Sequence, residues 1–394
     1  MSAASHAVRG EAAFDRRLFG AWDGALLGTL LALLGLGLVM LYSASLPLAS
    51  QGGSGAYYLE RQLLYAIAGG LLGWGAMHVP LAWWQKMGPL LLLGVFVLLV
   101  AVLVPGLGVS VKGAARWLPL GGFRFQVSEV VKLAMIVWLA GYLVRRGEEV
   151  RTQASGFLKP MAVLVLVGGL LLAEPDFGAT VIVTGTVLVM MYLAGVQLWK
   201  FGVLVALTGL GLLALALTEE YRWRRLTIFR DPWADRLGDG YQIIQSLLAV
   251  GQGEWLGQGL GNSILKLRYL PEAHTDFIFA VLAEELGLVG SVVTILLFAL
   301  LTARILVISG RAMRRGMAFA SYLVAGIGVW IGLQAFVNIG VVLGVLPPKG
   351  LTLPLMSYGG SSLLVTLVAL GVVLRAAREV EGNLPRRPAR EEAK

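Results

Sequence analysis

Apolar runs of about bilayer length recur along almost the whole sequence, and no other feature constrains the fold as much. Crossing a hydrocarbon core of about 30 Å takes about 20 apolar residues of helix. Runs of that order extend from about Trp22 to Tyr42, Leu59 to Met77, Pro89 to Leu107, Val127 to Val144, Phe201 to Leu217, Phe277 to Leu301, Met317 to Leu346 and Ser361 to Leu374. Backbone in hydrocarbon must satisfy its own hydrogen bonds, so such runs are helical. Only 14% of the 394 residues are charged, whereas a soluble domain carries about 25%. The expected fold is therefore all-α, a polytopic membrane protein.

The stretch from Lys159 to Ala194 is interrupted by EPDFG at Glu174 to Gly178, and each half is short for a span. Charge decides how to count it. Arg145, Arg146 and Arg151 form one basic cluster and Arg304, Arg311, Arg314 and Arg315 another. Basic residues mark cytoplasmic loops, and the two clusters fall on one side only if the interrupted stretch crosses twice. That gives about ten transmembrane helices. Arg9, Arg16 and Arg17 precede the first run, and Arg375, Arg378, Arg386, Arg387 and Arg390 follow the last, so both termini are expected in the cytoplasm. The division is a tail at 1–21, a membrane domain at 22–375 and a tail at 376–394. SASLPLAS after the first run is similar to a signal-peptidase site, but the run is too long for a signal peptide and is expected to be retained.

This topology places four segments outside: Lys112 to Gln126, the EPDFG turn, a large loop of about 218–275 between the seventh and eighth helices, and PPKGLTLPLMSYGGSS. The large loop carries Arg222, Arg224, Arg225, Arg230 and Arg236, which long loops tolerate. The net charge of +9 is thus spent at membrane edges rather than on a nucleic-acid surface. The absence of cysteine excludes disulfides, thiolate metal sites and cysteine nucleophiles.

Ionisable groups near lipid are costly, which makes function the default reading. In RFQVSEVVK, Glu129 and Lys132 are three apart and share a helix face, with Arg124 about two turns earlier; the plainer alternative is a structural ion pair. In PEAHTDF, Asp276 stands at the outer mouth of the eighth run, with Thr275 as the expected N-cap. His274 could serve as a base near neutral pH, but with three histidines in the chain a histidine metal centre is not expected. Glu284 and Glu285 fall deep enough to need partners, and a basic residue of the fourth span is expected to meet Glu285. PPKGLTLPLMSYGGSS contains three prolines and cannot be continuous helix; such backbone is tolerated where it lines a cavity. Lys349, Ser357, Ser361 and Ser362 would face that cavity, with Lys349 suited to an anionic phosphate; otherwise Lys349 snorkels from an ordinary loop. P-loop, dinucleotide and nucleophile-elbow signatures are absent.

Four long motifs, PEAHTDFIFAVLAEELGLVG, GDGYQIIQSLLAVGQGEWLGQGLGNS, RWLPLGGFRFQ and PPKGLTLPLMSYGGSS, resemble the SEDS family of bacterial cell-wall polymerases. The resemblance runs from the first span to the last. RWRRLTIFRDPWADRLGDGYQ and the PKG at Lys349 are more similar to the division branch than to the elongation branch. The resemblance implies a peptidoglycan glycosyltransferase that polymerises lipid II at the outer face of the cytoplasmic (inner) membrane, at the division septum. It implies Asp276 as the catalytic general base, with Lys349, Arg124, Lys132, Glu129, His274 and Ser357 around the substrate. A divalent cation, Mg or Mn, could assist the pyrophosphate, although no motif fixes one. Implied partners are an FtsI-like class B penicillin-binding transpeptidase and the division proteins FtsQ, FtsL, FtsB and FtsN. Two positions depart from the family pattern. Val127 stands where FQPSE has proline, which predicts a less kinked start to the fourth span, and Glu174 stands where the turn usually has glutamine. A lipid II flippase would need a polar path to the inner face, and a divisome scaffold would leave Asp276 and Lys349 without a task.

Overall fold

The computed structural model describes residues 23–49, 56–111, 114–121, 123–197, 228–238, 240–267 and 269–382, with isolated positions between 199 and 211. The tail at 1–21, the residues beyond 382, most of the basic loop residues and most of the expected seventh span (201–217) lie outside the described residues; the last helix runs on to Gly382, past the boundary expected at 375. The described helices are α1 (Gly24–Ala49), α2 (Tyr57–His78), α3 (Leu81–Leu103), α4 (Val127–Thr152), α5 (Ala154–Ala173), α6 (Phe177–Leu193), α7 (Tyr241–Gln252), α8 (Ile278–Arg314), α9 (Ala318–Val342) and α10 (Gly360–Gly382). Seven of them (α1, α3, α4, α5, α8, α9 and α10) are long and apolar enough to cross a membrane, and α6 is apolar over 17 residues.

Polar contacts sort the helix ends into two layers. At one, Arg304 pairs with Asp23 at 2.8 Å, the Leu81 amide donates to Glu379, and Arg151 donates to the carbonyl of Ala194. At the other, Gln62 donates to the Ser357 carbonyl, the Gln126 amide to Ser361, and Asn338 to the carbonyls of Asp276 and Leu351. EPDFG is a hairpin turn between two antiparallel helices, so both arginine clusters lie in the first layer. α4 is the central helix: 89% of its apolar window is buried, against 28% for α3 at the periphery. Val127 begins α4 as a fully buried residue, and the departure from helical geometry in this helix falls instead at Arg146, at its far end.

The segment before α4 contains a three-stranded antiparallel sheet, β1 (Val109–Val111), β2 (Ala114–Leu120) and β3 (Phe123–Gln126), in the order β1-β2-β3. The sequence reading has only a loop here. In backbone register Leu118 is opposite Phe125 and Leu120 opposite Phe123, and the turn between the strands uses Gly121 at φ +53°. The third span begins at Leu81 rather than Pro89, with Pro89 accommodated inside α3.

α8 is two helices, not the single span expected from Phe277. Gly287, at φ 64° and ψ −161°, breaks it, in a conformation open to glycine alone. The broken ends are satisfied by a crossing strap. Gln258 and Gly259 donate to the carbonyls of Glu284 and Glu285, and the amides of Leu288 and Val289 donate to Glu254 and Trp255. Thr275 does not cap the helix: the N-cap is Phe277, and the Thr275 hydroxyl bonds Glu272. The strap lies so close that a Cβ at Gly253 would stand 1.9 Å from the Ala283 carbonyl, and one at Gly287 2.4 Å from the Gly257 nitrogen. A second close seam joins α2 to α10, where a Cβ on Gly371 would lie 2.1 Å from the Gly73 carbonyl.

The break predicts that Gly287→Ala, which adds both strain and a backbone clash, costs about 1–3 kcal/mol. Thermal unfolding of the purified protein checks this, with Gly70→Ala, where added bulk meets open space, as the control that should not destabilise.

Candidate active site

The second layer surrounds a cavity of about 460 Å³ whose walls come from α4, α6, α9–α10 and the segment before α8. Asp276, Lys349, Glu129 and Lys132 all line it, so four residues from three distant stretches converge. Asp276 is held through its backbone carbonyl, which accepts from Asn338 of α9 at 2.8 Å. The same Asn338 amide donates to the carbonyl of Leu351, so one side chain fixes the proline- and glycine-rich loop to the Asp276 segment. The loop comes close because Gly350 lacks a side chain: a Cβ there would stand 3.2 Å from Asp276 Oδ2.

Lys349 Nζ lies 4.8 Å from the ring centre of Phe177, the first residue of α6. Burial pushes its ammonium down to about 8, since a low-dielectric site disfavours the charged form. Lys132 is 2% exposed and pairs with Glu129 at 2.8 Å. It also donates to Gln334 at 2.8 Å and lies over the Trp330 ring. Gln334 continues to the Thr352 carbonyl, and Thr352 to Ser362. The pair therefore forms a net-neutral floor, tied through Lys132 and Gln334 to α9 and the loop. Arg116 adds a cation at the rim, bonded to the carbonyls of Glu174 and Pro175.

The other three sequence-predicted residues stand apart from the cavity lining. Arg124 is exposed on β3, and its carbonyl accepts from Ser361. Ser357 is buried within the loop, accepting the Leu353 amide and donating to the Thr275 carbonyl at 2.6 Å. His274 is packed between Tyr58 and Tyr358, at 4.8 and 5.9 Å between ring centres. Asp176, Arg116 and Gln126 line the cavity and were not singled out in the sequence. The EPDFG interruption was the available signal for Asp176.

Glu285 does not meet the fourth span. Its carboxylate takes the Lys266 ammonium at 2.7 Å, the Ser43 hydroxyl at 2.6 Å and the amides of Gly261 and Ser263. Glu284 takes the Ser263 hydroxyl and the amides of Ile264 and Leu265. Both glutamates are fully buried. The Asp276 segment is thus the arc of a ring closed at Lys266 and Glu285, and Ser43 fastens that closure to α1.

Glu174 contrasts with them. It is buried at the end of α5, and neither carboxylate oxygen has a hydrogen-bond partner. Desolvation, and to a smaller degree the neighbouring Asp176, push it up to about 8. Among the described residues no group of three histidine, aspartate or glutamate side chains could hold a metal ion.

Two outcomes follow. Lys266→Met leaves a buried carboxylate without its cation and should cost about 3–5 kcal/mol, with part of the loss recovered in Lys266→Met/Glu285→Gln; unfolding midpoints measure both. Glu174 is protonated in the folded chain and ionised in the unfolded chain between about pH 4.5 and 8, so stability falls across that window. Glu174→Gln should raise the melting temperature at pH 8 and leave it unchanged at pH 5.

The family model described as Cell cycle protein (FtsW/RodA/SpoVE) matches residues 24–382. A protein of Nitrosococcus halophilus named "Probable peptidoglycan glycosyltransferase FtsW" is 54% identical over 92% of this chain and 94% of its own. One of the same name from Coxiella burnetii is 51% identical over 89% and 95%. Among solved structures, a chain from a study titled "Structural coordination of polymerization and crosslinking by a peptidoglycan synthase complex" aligns with a TM-score of 0.75 at 34% identity, over 91% of this chain and 98% of that one. The Thermus thermophilus rod shape determining protein RodA aligns at 0.67 and 30%, over 92% and 98%. The chain belongs to the FtsW/RodA/SpoVE cell cycle protein family, the SEDS family that its motifs resemble.

Proposed function

We propose that this protein is a peptidoglycan glycosyltransferase that polymerises lipid II in septal wall synthesis, working at the outer face of the cytoplasmic membrane. The observation that carries the reading is the convergence of one carboxylate, Asp276, and one half-buried lysine, Lys349, on a cavity at the ends of the membrane helices. Its relatives named peptidoglycan glycosyltransferase support the same reaction. With the arginine clusters facing the cytoplasm, the cavity opens outward, where the lipid-linked sugar presents its head.

In the proposed reaction an acceptor sugar hydroxyl attacks the anomeric carbon of the donor. The new glycosidic C–O bond forms as the bond to the lipid pyrophosphate breaks, and the pyrophosphate leaves with the electron pair. Asp276 takes the hydroxyl proton as general base. Lys349, at the cavity wall, balances charge growing on the pyrophosphate in a site with little competing water. Arg116 supplies a second cation at the rim. The Glu129–Lys132 pair keeps its charges on each other and shapes the floor.

A flippase is disfavoured by the wall below that floor. Beyond Lys132, Met135, Ile136, Leu139 and Leu143 of α4 are buried apolar residues, and a sugar–pyrophosphate head has no polar partner there. A transpeptidase of class B is the proposed partner, on the likeness to a chain of the peptidoglycan synthase complex. FtsQ, FtsL, FtsB and FtsN are proposed as neighbours at the septum.

Glycan synthesis from lipid II by the purified protein with its transpeptidase tests the reading. Asp276→Asn should abolish polymer while leaving folding intact; polymer equal to wild type removes Asp276 from catalysis. Lys349 is a cation only below about pH 8, so the rate should fall as pH rises through that value. Lys349→Arg should move this alkaline limb upward by more than one pH unit, because arginine keeps its charge.

A further inference from the structure

A polymerase holds two sugar chains at once, and the cavity, at about 460 Å³, has room for little more than one lipid-linked head. Pockets of about 300–1,000 Å³ take one drug-sized molecule. Part of the growing strand therefore lies beyond the rim. On the Asp276 side, the rim continues as a chain of rings. Tyr358 lines the cavity. Its ring centre is 5.1 Å from Tyr58 and 5.9 Å from His274, and Tyr58 and His274 are 4.8 Å apart. Tyr58 meets Tyr57 edge-on at 5.3 Å, and Tyr57 is 46% exposed. The Arg61 guanidinium lies over the Tyr57 ring at 5.5 Å and donates to its hydroxyl at 2.7 Å.

The geometry points to a carbohydrate subsite on this row, taking the β-linked amino-sugar strand as it leaves the reacting centre; the inference rests on the proposed function. Pyranose rings carry C–H groups on their faces and hydroxyls at their edges, and aromatic faces with polar tips complement both. The row is tied to the chemistry at two points. The Tyr358 amide donates to the His274 carbonyl at 3.0 Å, two residues from Asp276. Gln62, one turn from Tyr58, donates to the Ser357 carbonyl and accepts from the Gly359 amide. The outer end of α2 is therefore held in register with the cavity rim, as a strand-guiding surface requires. Tyrosines at a membrane interface also serve as lipid anchors, which makes anchoring the competing account.

Strand length decides between them. The full chain with its transpeptidase is given lipid II, and products are sized at equal lipid II consumption. Tyr57→Leu/Tyr58→Leu keeps apolar bulk but removes the rings, and should shorten the strands several-fold; Tyr57→Phe/Tyr58→Phe, which keeps the rings, should restore most of the length. Strands of wild-type length from the leucine pair overturn the inference, as does an equal shortening in both pairs. Where a variant fails to fold, titration of the wild-type protein with a soluble β-1,4-linked N-acetylglucosamine hexamer replaces it. Saturable binding that is competed by isolated glycan strands supports the site, and no binding overturns it. Absence of polymer from wild type refutes the proposed function instead, and the hexamer titration still decides this subsite.

Discussion

Buried carboxylates need donors, and the arrangement of this protein follows from where the donors for Glu284 and Glu285 are found. Two adjacent acids at the end of a short helix would be untenable beside lipid if they faced apolar neighbours. Here the loop residues 261–266 turn their amides, a hydroxyl and the Lys266 ammonium onto them. That closure bends the chain back on itself and leaves Asp276 at the tip of the enclosed segment. The break at Gly287, the strap from Glu254 to Gly259 and the contact with Ser43 of α1 are consequences of the same folding-back.

Two kinds of charge then coexist in one layer. The Glu129–Lys132 and Glu285–Lys266 pairs keep their charges on each other, and their lysines tie separate elements together. Lys349 is different: it lies against the ring of Phe177, and burial lowers its affinity for a proton. A cation stabilised so weakly by the protein is one that an incoming anion can stabilise more. That contrast separates the scaffold from the chemistry more clearly than proximity to the cavity does.

Much of this was legible in the sequence, because bilayer thickness imposes helix length and arginines mark loop sides. The EPDFG turn and the convergence of Asp276, Lys349, Glu129 and Lys132 were readable on those grounds and on motif likeness. What could not be read has physical causes. The eighth apolar run looks like one helix because Gly287 is also an ordinary residue of helix seams, and only backbone crossing by the strap makes it a break. Lys266 lies among polar loop residues with no periodicity, so nothing local pairs it with Glu285 nineteen positions on. The sheet at 109–126 was hidden for a similar reason: its short strands pair across a glycine turn and carry no sustained alternation. Arg124 and His274 lie beside the motifs that carry the site, yet neither lines the cavity: Arg124 is exposed on β3, and the His274 ring packs against Tyr58 and Tyr358, contacts that local sequence does not announce.

The seam between α2 and α10 also limits how a substrate gets in. A lipid-linked molecule approaches sideways from the bilayer, with its tail still among the acyl chains. Between Gly73 and Gly371 the two backbones touch with no side chains that could swing aside, and Gln62 locks the outer end of the same pair. At this seam the bundle presents a closed wall, which leaves no space for an acyl or prenyl chain to pass between α2 and α10.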